Sequence, residues 1–333
     1  MKEKILYAVK YLGGFWLTRK LIRNKTLILA YHGFELVDET SFRPKLFIKS
    51  STFKQRLRYL QQHCNVIKLE DLGNGKKPKN SVVITIDDGW ASTLTLASPI
   101  LKSFDFPYTV YLTTENVLNN LPIFHILLDY ILMKSIGNKI CLRLSNDEKV
   151  NTIIDEGNIT KIKGKIEQAR AVSSDAELLS KIAKNLELNI DNLIDTKALS
   201  LLSVKEVKEL SGLGADIQLH THSHYTYLND DTAFNAEIIE NQQHIEEIIG
   251  IKPLHHCYPS GSYNYKSIEL LKPLGILTAT TCVPGLCDET TNQLELPRFL
   301  DGENISQITF EAEVSGFLHF LRTFKSLLYI FKR

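Results

Sequence analysis

The sequence has few cysteines, and their arrangement excludes two classes of stabilised domain. Its 333 residues contain five cysteines, which is an odd number, and they are widely spaced and form no CxxC pair. A disulfide framework normally uses an even set, and a cysteine-based zinc site needs closely spaced pairs. We therefore predict mostly reduced core residues at Cys64, Cys141, Cys257, Cys282 and Cys287.

The sequence also lacks an excess of charge of either sign. Lys and Arg together number 39, Asp and Glu together number 38, and the basic residues form no long block. No global positive field is then present to attract nucleic acid. We expect a globular protein without a nucleic-acid partner.

No apolar run near the N-terminus is long enough to span a membrane. The stretch from Ile5 to Leu17 is interrupted by Lys10, and it is shorter than the roughly 20 residues that a spanning helix needs. No small-residue cleavage site follows it. Together with the odd number of cysteines, this favours the cytoplasm, and export to the cell envelope is the alternative.

Both ends have the pattern of amphipathic helices, over residues 1–25 and 304–333. Such helices either pack on the domain or lie in a membrane interface. The pattern leaves both alternatives open, so peripheral membrane contact through the termini is one hypothesis. The C-terminal pattern consists of Phe317, Phe320, Leu321, Phe324, Leu328 and Phe331 at helical spacing, with Arg322, Lys325, Lys332 and Arg333 between them.

Short apolar runs rich in β-branched residues alternate with helical patterns along the chain. The runs begin near residues 26, 81, 106, 215 and 276. Capping signals predict helices that begin at Thr52 and Ser203, and another that ends at Gly250. Alternation of strands and helices favours a parallel sheet or barrel.

One long segment departs from this alternation. From residue 119 to residue 202 the β-rich runs disappear, and the pattern predicts helices. We interpret 119–202 as a helical insertion that shapes or covers a groove in a domain formed by 26–118 and 203–303.

Polar groups follow three of the predicted strands. His32 ends the run LILAYHG, the pair Asp87 and Asp88 ends SVVITIDDG, and HTHSH ends the run that begins at residue 215. Adjacent carboxylates share a site only where a strand ends and turns, and Gly89 permits that turn. Active-site groups collect at the carboxyl ends of parallel strands. A solvated loop without function is the alternative for IDDG taken alone.

These groups suit metal-assisted hydrolysis. Two imidazoles and one carboxylate leave a position open on a divalent metal, where the pKa of water falls from about 15.7 to about 7. A second carboxylate then accepts the proton. On a regular strand His220, His222 and His224 share one face, so spacing alone does not choose the two ligands.

The motifs resemble those of the polysaccharide deacetylase family, which shares the NodB homology domain. The resemblance rests on TIDDG at 85–89, HTHSH at 220–224 and YPSG at 258–261, in this order. It covers about 26–118 and 203–303. It implies an α/β fold, a distorted (β/α)7 barrel, here with a helical insertion. The Tyr-His pair before residue 33 resembles the branch of the family that opens with this motif.

The resemblance implies a role for each motif residue. Asp87 would be the general base and His32 the general acid. Asp88, His220 and His224 would bind the metal, most often zinc. The chain must then turn just after His220, so that His224 returns to the metal and His222 points away.

Residues beside these motifs would contact the substrate or tune the base. A backbone N–H near Ser260, with Gly261 and Tyr258 beside it, would hold substrate and oxyanion. Arg298 would pair with Asp87 and keep it ionised, or be structural. Trp90 and Tyr263 would stack on a sugar, or simply pack. The histidines in helical patterns, His125, His244 and His319, are predicted to be structural or exposed.

The function implied is removal of N-acetyl groups from amino sugars of a polysaccharide or lipid-linked glycan. A deformylase acting on a related sugar amide is one alternative, and a catalytically inactive carbohydrate-binding relative is another. A metal phosphoesterase would need phosphate-binding groups at the rim, and the sequence offers no convincing set.

Overall fold

The computed structural model describes residues 2–73, 78–119, 123–144, 148–169, 175–188 and 195–330. The strands are β1 Thr26–Tyr31, β2 Gly33–Phe34, β3 Phe47–Ile48, β4 Asn65–Val66, β5 Ser81–Ile86, β6 Thr109–Leu112, β7 Lys139–Arg143, β8 Lys149–Ile153, β9 Asp216–Leu219, β10 His255–Cys257, β11 Thr278–Thr280 and β12 Phe299–Leu300. The α-helices are α1 Lys2–Tyr11, α2 Gly14–Leu21, α3 Glu39–Phe42, α4 Ser50–His63, α5 Ser98–Ser103, α6 Glu115–Asn119, α7 Phe124–Lys134, α8 Ile159–Ala169, α9 Asp175–Asn185, α10 Val204–Gly212, α11 Asp231–Ile249, α12 Tyr265–Leu271, α13 Gln307–Val314 and α14 Phe317–Ile330.

The centre of the fold is a curled parallel sheet. Its strands run in the order β11-β10-β9-β6-β5-β1-β12, and β4 pairs with β5 beside this path. β1 and β5 are paired in register along their whole length, and all their residues are buried. Strands buried on both faces are typical of parallel sheets covered by helices. The predicted barrel is confirmed.

Residues 293–300 join the two edges of the sheet. The Ala279 N–H of β11 donates to Gln293 O, and the Leu296 N–H donates back to Ala279 O, each at 2.8 Å. Three residues further on, the chain pairs with β1 through Phe299 and Leu300. Arg298 lies between these contacts, at the seam of the barrel.

The segment between α6 and α10 has its own apolar core. Residues of α7, α8 and α9 bury side chains there, including Leu128, Ile162 and Ile182. The expectation of helices alone is wrong in one respect, because β7 and β8 form an antiparallel pair. Alternating burial along β7 leaves Cys141 exposed instead of in the core. All five cysteines are free. The bounds 119–202 for an insertion stay a prediction.

Two of the three predicted helix ends are confirmed, and one is wrong. Ser203 and Glu206 form the capping box of α10, and α11 ends at Gly250 with a φ of 74°. α4 begins at Ser50 instead of Thr52. The Thr52 hydroxyl donates to Glu303 at 3.0 Å, so a tertiary contact replaces the cap.

The terminal helices pack on the barrel and on each other. Gly13 separates α1 from α2 with a φ of 80°. Leu6 and Phe15 join a buried cluster with Ile308 of α13, and the rings of Phe15 and Phe317 lie 5.7 Å apart. Among the described helices, none is long and apolar enough to cross a membrane. Leu328 lies within α14, and Phe331 lies outside the described residues.

We expect Gly316→Ala to destabilise the protein more than a matched change at Gly250. Both glycines have a φ near 75°, at 77° and 74°. A Cβ on Gly316 would lie 2.6 Å from Ile22 Cδ1, whereas one on Gly250 meets nothing within 4 Å. The free energy of unfolding should fall by about 2–3 kcal/mol for Gly316→Ala and by about 1 kcal/mol for Gly250→Ala. Urea denaturation measures both, and equal losses would contradict the close packing of Gly316 on Ile22.

Candidate active site

The two adjacent carboxylates face one site because the chain turns at the end of β5. The Asp87 N–H still continues the sheet by donating to Tyr31 O at 2.9 Å. Asp88 then has a φ of 72° and Gly89 a φ of 87°. A Cβ on Gly89 would lie 2.4 Å from Leu112 Cδ1, so glycine is required for space as well as for conformation.

Asp88 lies between two histidines of the second motif. Its Oδ1 is 3.3 Å from His220 Nε2 and 3.3 Å from His224 Nε2. Burial alone would raise the pKa of Asp88, but hydrogen bonds from these two imidazoles hold it well below its usual value. Asp88 is therefore an anion at neutral pH, with its Oδ1 directed at both rings.

The backbone of HTHSH selects which histidines face Asp88. β9 ends at Leu219, and positive φ values of 64° at Thr221 and 60° at His224 turn the chain back just after His220. His222 points elsewhere, with Nδ1 at 2.9 Å from Thr114 Oγ1 and Nε2 at 3.8 Å from Glu240. The structure thus brings together His220 and His224 and excludes His222.

Helix α11 holds this turn through two polar side chains one helical turn apart. Asn241 accepts the His220 N–H at 2.9 Å and donates to Leu112 O at 3.0 Å. Glu237 accepts the Ser223 N–H at 2.8 Å. His220 Nδ1 lies 2.8 Å from Cys257 O, which directs Nε2 toward Asp88.

Trp90 contacts Asp88 from the opposite side to the histidines. Its indole is 1% exposed, packs edge-on against Phe47, and donates from Nε1 to Asp88 Oδ2 at 2.9 Å. A ring this buried offers no free face, so the structure contradicts the expectation that Trp90 stacks on a sugar. Its hydrogen bond instead orients the Asp88 carboxylate.

Arg298 holds Asp87 by a bidentate ion pair. Arg298 Nη1 and Nη2 donate to the two Asp87 oxygens at 2.7 and 2.8 Å, and both residues are buried. Burial raises the pKa of Asp87, but the charge and hydrogen bonds of Arg298, with His32 nearby, bring it below its usual value. The predicted pairing is present, and it keeps Asp87 ionised.

His32 completes the group from the end of β1. Its Nε2 lies 3.7 Å from Asp87 Oδ2. Its Nδ1 is buried and has no hydrogen-bond partner within the described ranges. The ring is therefore held by packing, with one nitrogen directed to the same carboxylate that Arg298 binds.

The third motif forms a tight turn with one free backbone donor. Ser260 and Gly261 have φ values of 54° and 68°. The N–H groups of Tyr258, Gly261 and Ser262 donate to backbone carbonyls of Thr280, Tyr258 and Pro259. Because Pro259 has no N–H, the Ser260 N–H is the donor of this turn that has no acceptor in the part of the chain described here.

The two tyrosines near this turn pack on each other. Their rings are stacked, with centroids 4.8 Å apart and planes 20° apart. Tyr258 is buried and its hydroxyl donates to Leu294 O at 3.1 Å. Tyr263 is partly exposed, but one of its faces is covered, so its stacking on a sugar stays a prediction.

A cavity of about 330 Å³ contains the site, and some of its walls were missed from the sequence. Arg43, Cys282 and His125 line it beside the motif residues. His125 lies in the first turn of α7 and is exposed, as expected, but it also lines the cavity. Desolvation and the nearby charge of Lys163 lower the pKa of His125 to about 4, so the imidazole is neutral. No sequence pattern marked Arg43 or His125, because both reach the cavity only through tertiary packing.

Two overlapping sets of side chains could hold a metal. One is Asp88, His220 and His224, and the other is Asp87, His220 and Cys257. Burial raises the pKa of the Cys257 thiol far above neutrality, and only a thiolate binds metal well. Asp87 is already paired with Arg298, so the first set is the better candidate.

The ionised carboxylates and the histidines lie together at the carboxyl ends of the parallel strands, where active sites of such barrels are found. The sequence matches the family model for polysaccharide deacetylases over residues 74–279. The chain therefore belongs to the polysaccharide deacetylase family, and it is a deacetylase. The match spans Asp87 through Ser260 but reaches neither His32 nor Arg298.

Several solved structures share the fold of this chain. Streptococcus pyogenes deacetylase PplD, solved with acetate, is 17% identical over 88% of this chain and 99% of its own, with a TM-score of 0.58. IcaB from Ammonifex degensii is 17% identical over 88% and 97%, with a TM-score of 0.55. A de-N-acetylase from Aggregatibacter actinomycetemcomitans is 17% identical over 87% and 99%, with a TM-score of 0.54. These similarities show the fold, and a search of curated proteins finds no match.

We expect Arg298→Met to lower the free energy of unfolding by about 3–5 kcal/mol at neutral pH, because it leaves a buried carboxylate without its counter-charge. The double variant Arg298→Met/Asp87→Asn should recover at least about 2 kcal/mol of this loss. Urea denaturation of the two single variants and the double variant measures the coupling.

The pH dependence of this loss follows from the direction of the shift. The ion pair stabilises the fold above the usual pKa of an aspartate, about 3.9, and this is lost as pH falls through the lowered folded value. Without Arg298, burial raises the pKa of Asp87, so the folded variant takes up a proton first. The deficit of Arg298→Met should therefore shrink as pH falls toward 4, and a constant deficit would contradict the assignment.

Proposed function

We propose that the chain is a metal-dependent hydrolase that removes N-acetyl groups from amino sugars of a polysaccharide or lipid-linked glycan. The observation that supports it best is the triangle of ligand atoms formed by Asp88 Oδ1, His220 Nε2 and His224 Nε2, beside an ionised Asp87. A carbohydrate-binding relative without activity has no need for this separate, charged carboxylate.

The triangle fits a small divalent ion. In a tetrahedral site with bonds of about 2.1 Å, ligand atoms lie about 3.4 Å apart. The two distances from Asp88 Oδ1, both 3.3 Å, match this spacing. Two imidazoles and one carboxylate suit Zn²⁺, which is our proposal for the metal. When bound there, the ion would acidify a water molecule and polarise the acyl oxygen.

Asp87 and His32 then divide the proton transfers. Asp87 accepts a proton from the attacking water while the water oxygen bonds to the acyl carbon. His32 Nε2, which lies 3.7 Å from Asp87 Oδ2, delivers a proton to the sugar nitrogen as the C–N bond breaks. Water and amide become acetate and amine. Arg298 keeps Asp87 ionised but lowers its basicity, so the base works best on a water that is already acidified.

The Ser260 N–H is the proposed donor to the oxyanion. Ser260 lines the same cavity as Asp87, and its N–H has no acceptor among the described residues. A backbone donor held in a tight turn loses no freedom when charge develops on the acyl oxygen. Gly261 supports this turn, since a Cβ there would lie 2.8 Å from Cys282 Cβ.

The size of the cavity limits what the site accepts. Its volume of about 330 Å³ lies at the lower end of the range for small-molecule sites, about 300–1,000 Å³. It suits one acylated sugar rather than a long stretch of chain. We propose that Arg43 and the neutral His125 hydrogen-bond hydroxyl groups of this sugar, which makes the segment containing α7 part of the specificity.

Localisation and membrane contact stay proposals. Five free cysteines suit a reducing compartment such as the cytoplasm, with the cell envelope as the alternative. Peripheral contact of both termini with a membrane would bring the enzyme to a lipid-linked glycan.

The roles of the two carboxylates are tested by separate variants. Asp87→Asn should slow acetate release from N-acetylated hexosamine oligomers by about 100-fold or more, while zinc still binds. Asp88→Asn should lose zinc binding as well as activity. Asp105→Asn, in an exposed turn, serves as the control. Full activity of Asp87→Asn would overturn its role as base, and release of formate in place of acetate from formylated substrate would favour the deformylase.

The hydrogen bond from Trp90 gives a second prediction. Trp90→Phe keeps the packing of the ring but removes the donor to Asp88, so zinc affinity should fall about 10- to 100-fold. The other tryptophan of the chain, the exposed Trp16, provides the matched control Trp16→Phe, which should leave zinc affinity unchanged. Competition with a chromogenic chelator measures both, and an unaltered affinity in Trp90→Phe would refute the orienting role.

A further inference from the structure

Exposed apolar side chains are concentrated on the terminal helices. Of 23 exposed large hydrophobic side chains in the described ranges, ten lie within residues 5–21 and 320–324. α2 and α14, which pack on each other, each show a stripe at positions i, i+1 and i+4 or i+5. We call these six residues the terminal surface: Trp16, Leu17, Leu21, Phe320, Leu321 and Phe324.

These helices are apolar on two faces. Phe15 and Phe317 form the inner face, in contact with α13, while Leu21 and Phe324 on the outer face are 63% and 62% exposed. A helix that only packs on a domain has a polar outer face. The inner face therefore explains the docking of the helices, and the outer face needs another partner.

The terminal surface is separate from the active site. α2 leads into the amino end of β1 at Thr26, whereas His32 follows the carboxyl end of the strand. Six residues of strand at about 3.3 Å each place about 20 Å between the two ends. The surface is therefore not the rim of the substrate cavity, and its partner is not the reacting sugar.

Positive charge is gathered at the same helices. Residues 1–25 contain seven Lys and Arg and one Glu, and residues 317–333 contain four Lys and Arg and no acidic residue. Together these segments have a formal charge of +10, although the whole chain has only +1, so the remainder has −9. This asymmetry orients the protein at an anionic surface.

Part of this charge is free to act outward. Lys10, Lys25 and Arg322 form ion pairs with acidic residues of the body. The exposed Lys4, Lys20, Arg23 and Lys325 form no ion pair among the residues described. Lys20 Nζ lies 3.8 Å from the ring centre of Trp16, so cationic and aromatic groups are interleaved on one face.

We propose that the terminal surface binds the face of an anionic lipid bilayer, with α2 and α14 lying in the interface. Trp, Phe and Leu beside Lys and Arg are the composition of interfacial helices. The helices are too short and too charged to span, which agrees with the absence of a spanning helix in the described residues. A second copy of the chain fits poorly, because pairing would place one highly positive surface against another.

Vesicle flotation of the full-length protein tests the proposal. The protein should float with vesicles of equal parts phosphatidylcholine and phosphatidylglycerol. Its partition should be at least about tenfold weaker with phosphatidylcholine alone. Partition into the mixed vesicles should also weaken in about 1 M salt, where the Debye length is about 3 Å.

Two triple variants separate the apolar and the electrostatic contributions. Leu17→Ser/Leu21→Ser/Phe324→Ser and Lys4→Glu/Lys20→Glu/Arg23→Glu should each weaken partition by about tenfold or more. Matched controls change equally exposed residues elsewhere: Ile251→Ser/Tyr265→Ser/Leu277→Ser, and Lys102→Glu/Lys205→Glu/Lys208→Glu. The controls should float like the unaltered protein.

Three outcomes would overturn the proposal. They are full-length protein that does not float with anionic vesicles, terminal-surface variants that float as well as their controls, and a dimer in light scattering that the serine variant dissociates. The last would assign the surface to a second copy. Acetate release from a soluble oligomer should be unchanged in all these variants, so a failure here is distinguishable from a failure of the proposed function.

Discussion

The buried ion pair between Arg298 and Asp87 is the interaction on which both the barrel and the site depend. Arg298 comes from the segment that joins β11 to β1, and its guanidinium also donates to Thr281 O at 3.0 Å and Thr85 Oγ1 at 3.1 Å. One cation therefore ties the seam of the sheet to β5. Since two charges removed from water repay that cost only with good geometry and full hydrogen bonding, the seam and the catalytic carboxylate constrain each other.

This pair also explains how two adjacent aspartates take different roles. Asp87 faces a fixed cation, which keeps it charged, and it forms no ion pair with His220 or His224 in the described residues. Asp88, turned by its positive φ, faces two imidazoles and the Trp90 indole. The carboxylates of two adjacent residues are thus placed in different electrostatic environments. The turn at Gly89 makes this separation possible.

Sequence reasoning predicted the parts of the molecule that depend on local pattern. The strands around residues 26 and 81, the capping box at Ser203 and the motif residues are examples, because periodicity and turn chemistry are local properties. It failed where packing decides. The pair β7 and β8 has no strong β pattern, Thr52 exchanges its cap for a contact with Glu303, and Trp90 is buried by Phe47. The choice of His224 over His222 came from the family resemblance, because spacing alone does not encode the backbone turn after His220.

The segment containing α7 shows why the walls of the site were harder to predict than its centre. Its apolar core is separate from that of the barrel, so its contact with the site comes through few residues. Arg43 of the barrel pairs with Asp129 of α7, which also binds Lys163 at 2.8 Å. This network places His125 over the cavity. Because the network is partly exposed and small, changes in this segment can reshape the cavity while Asp87, Asp88 and the two histidines stay fixed by the barrel.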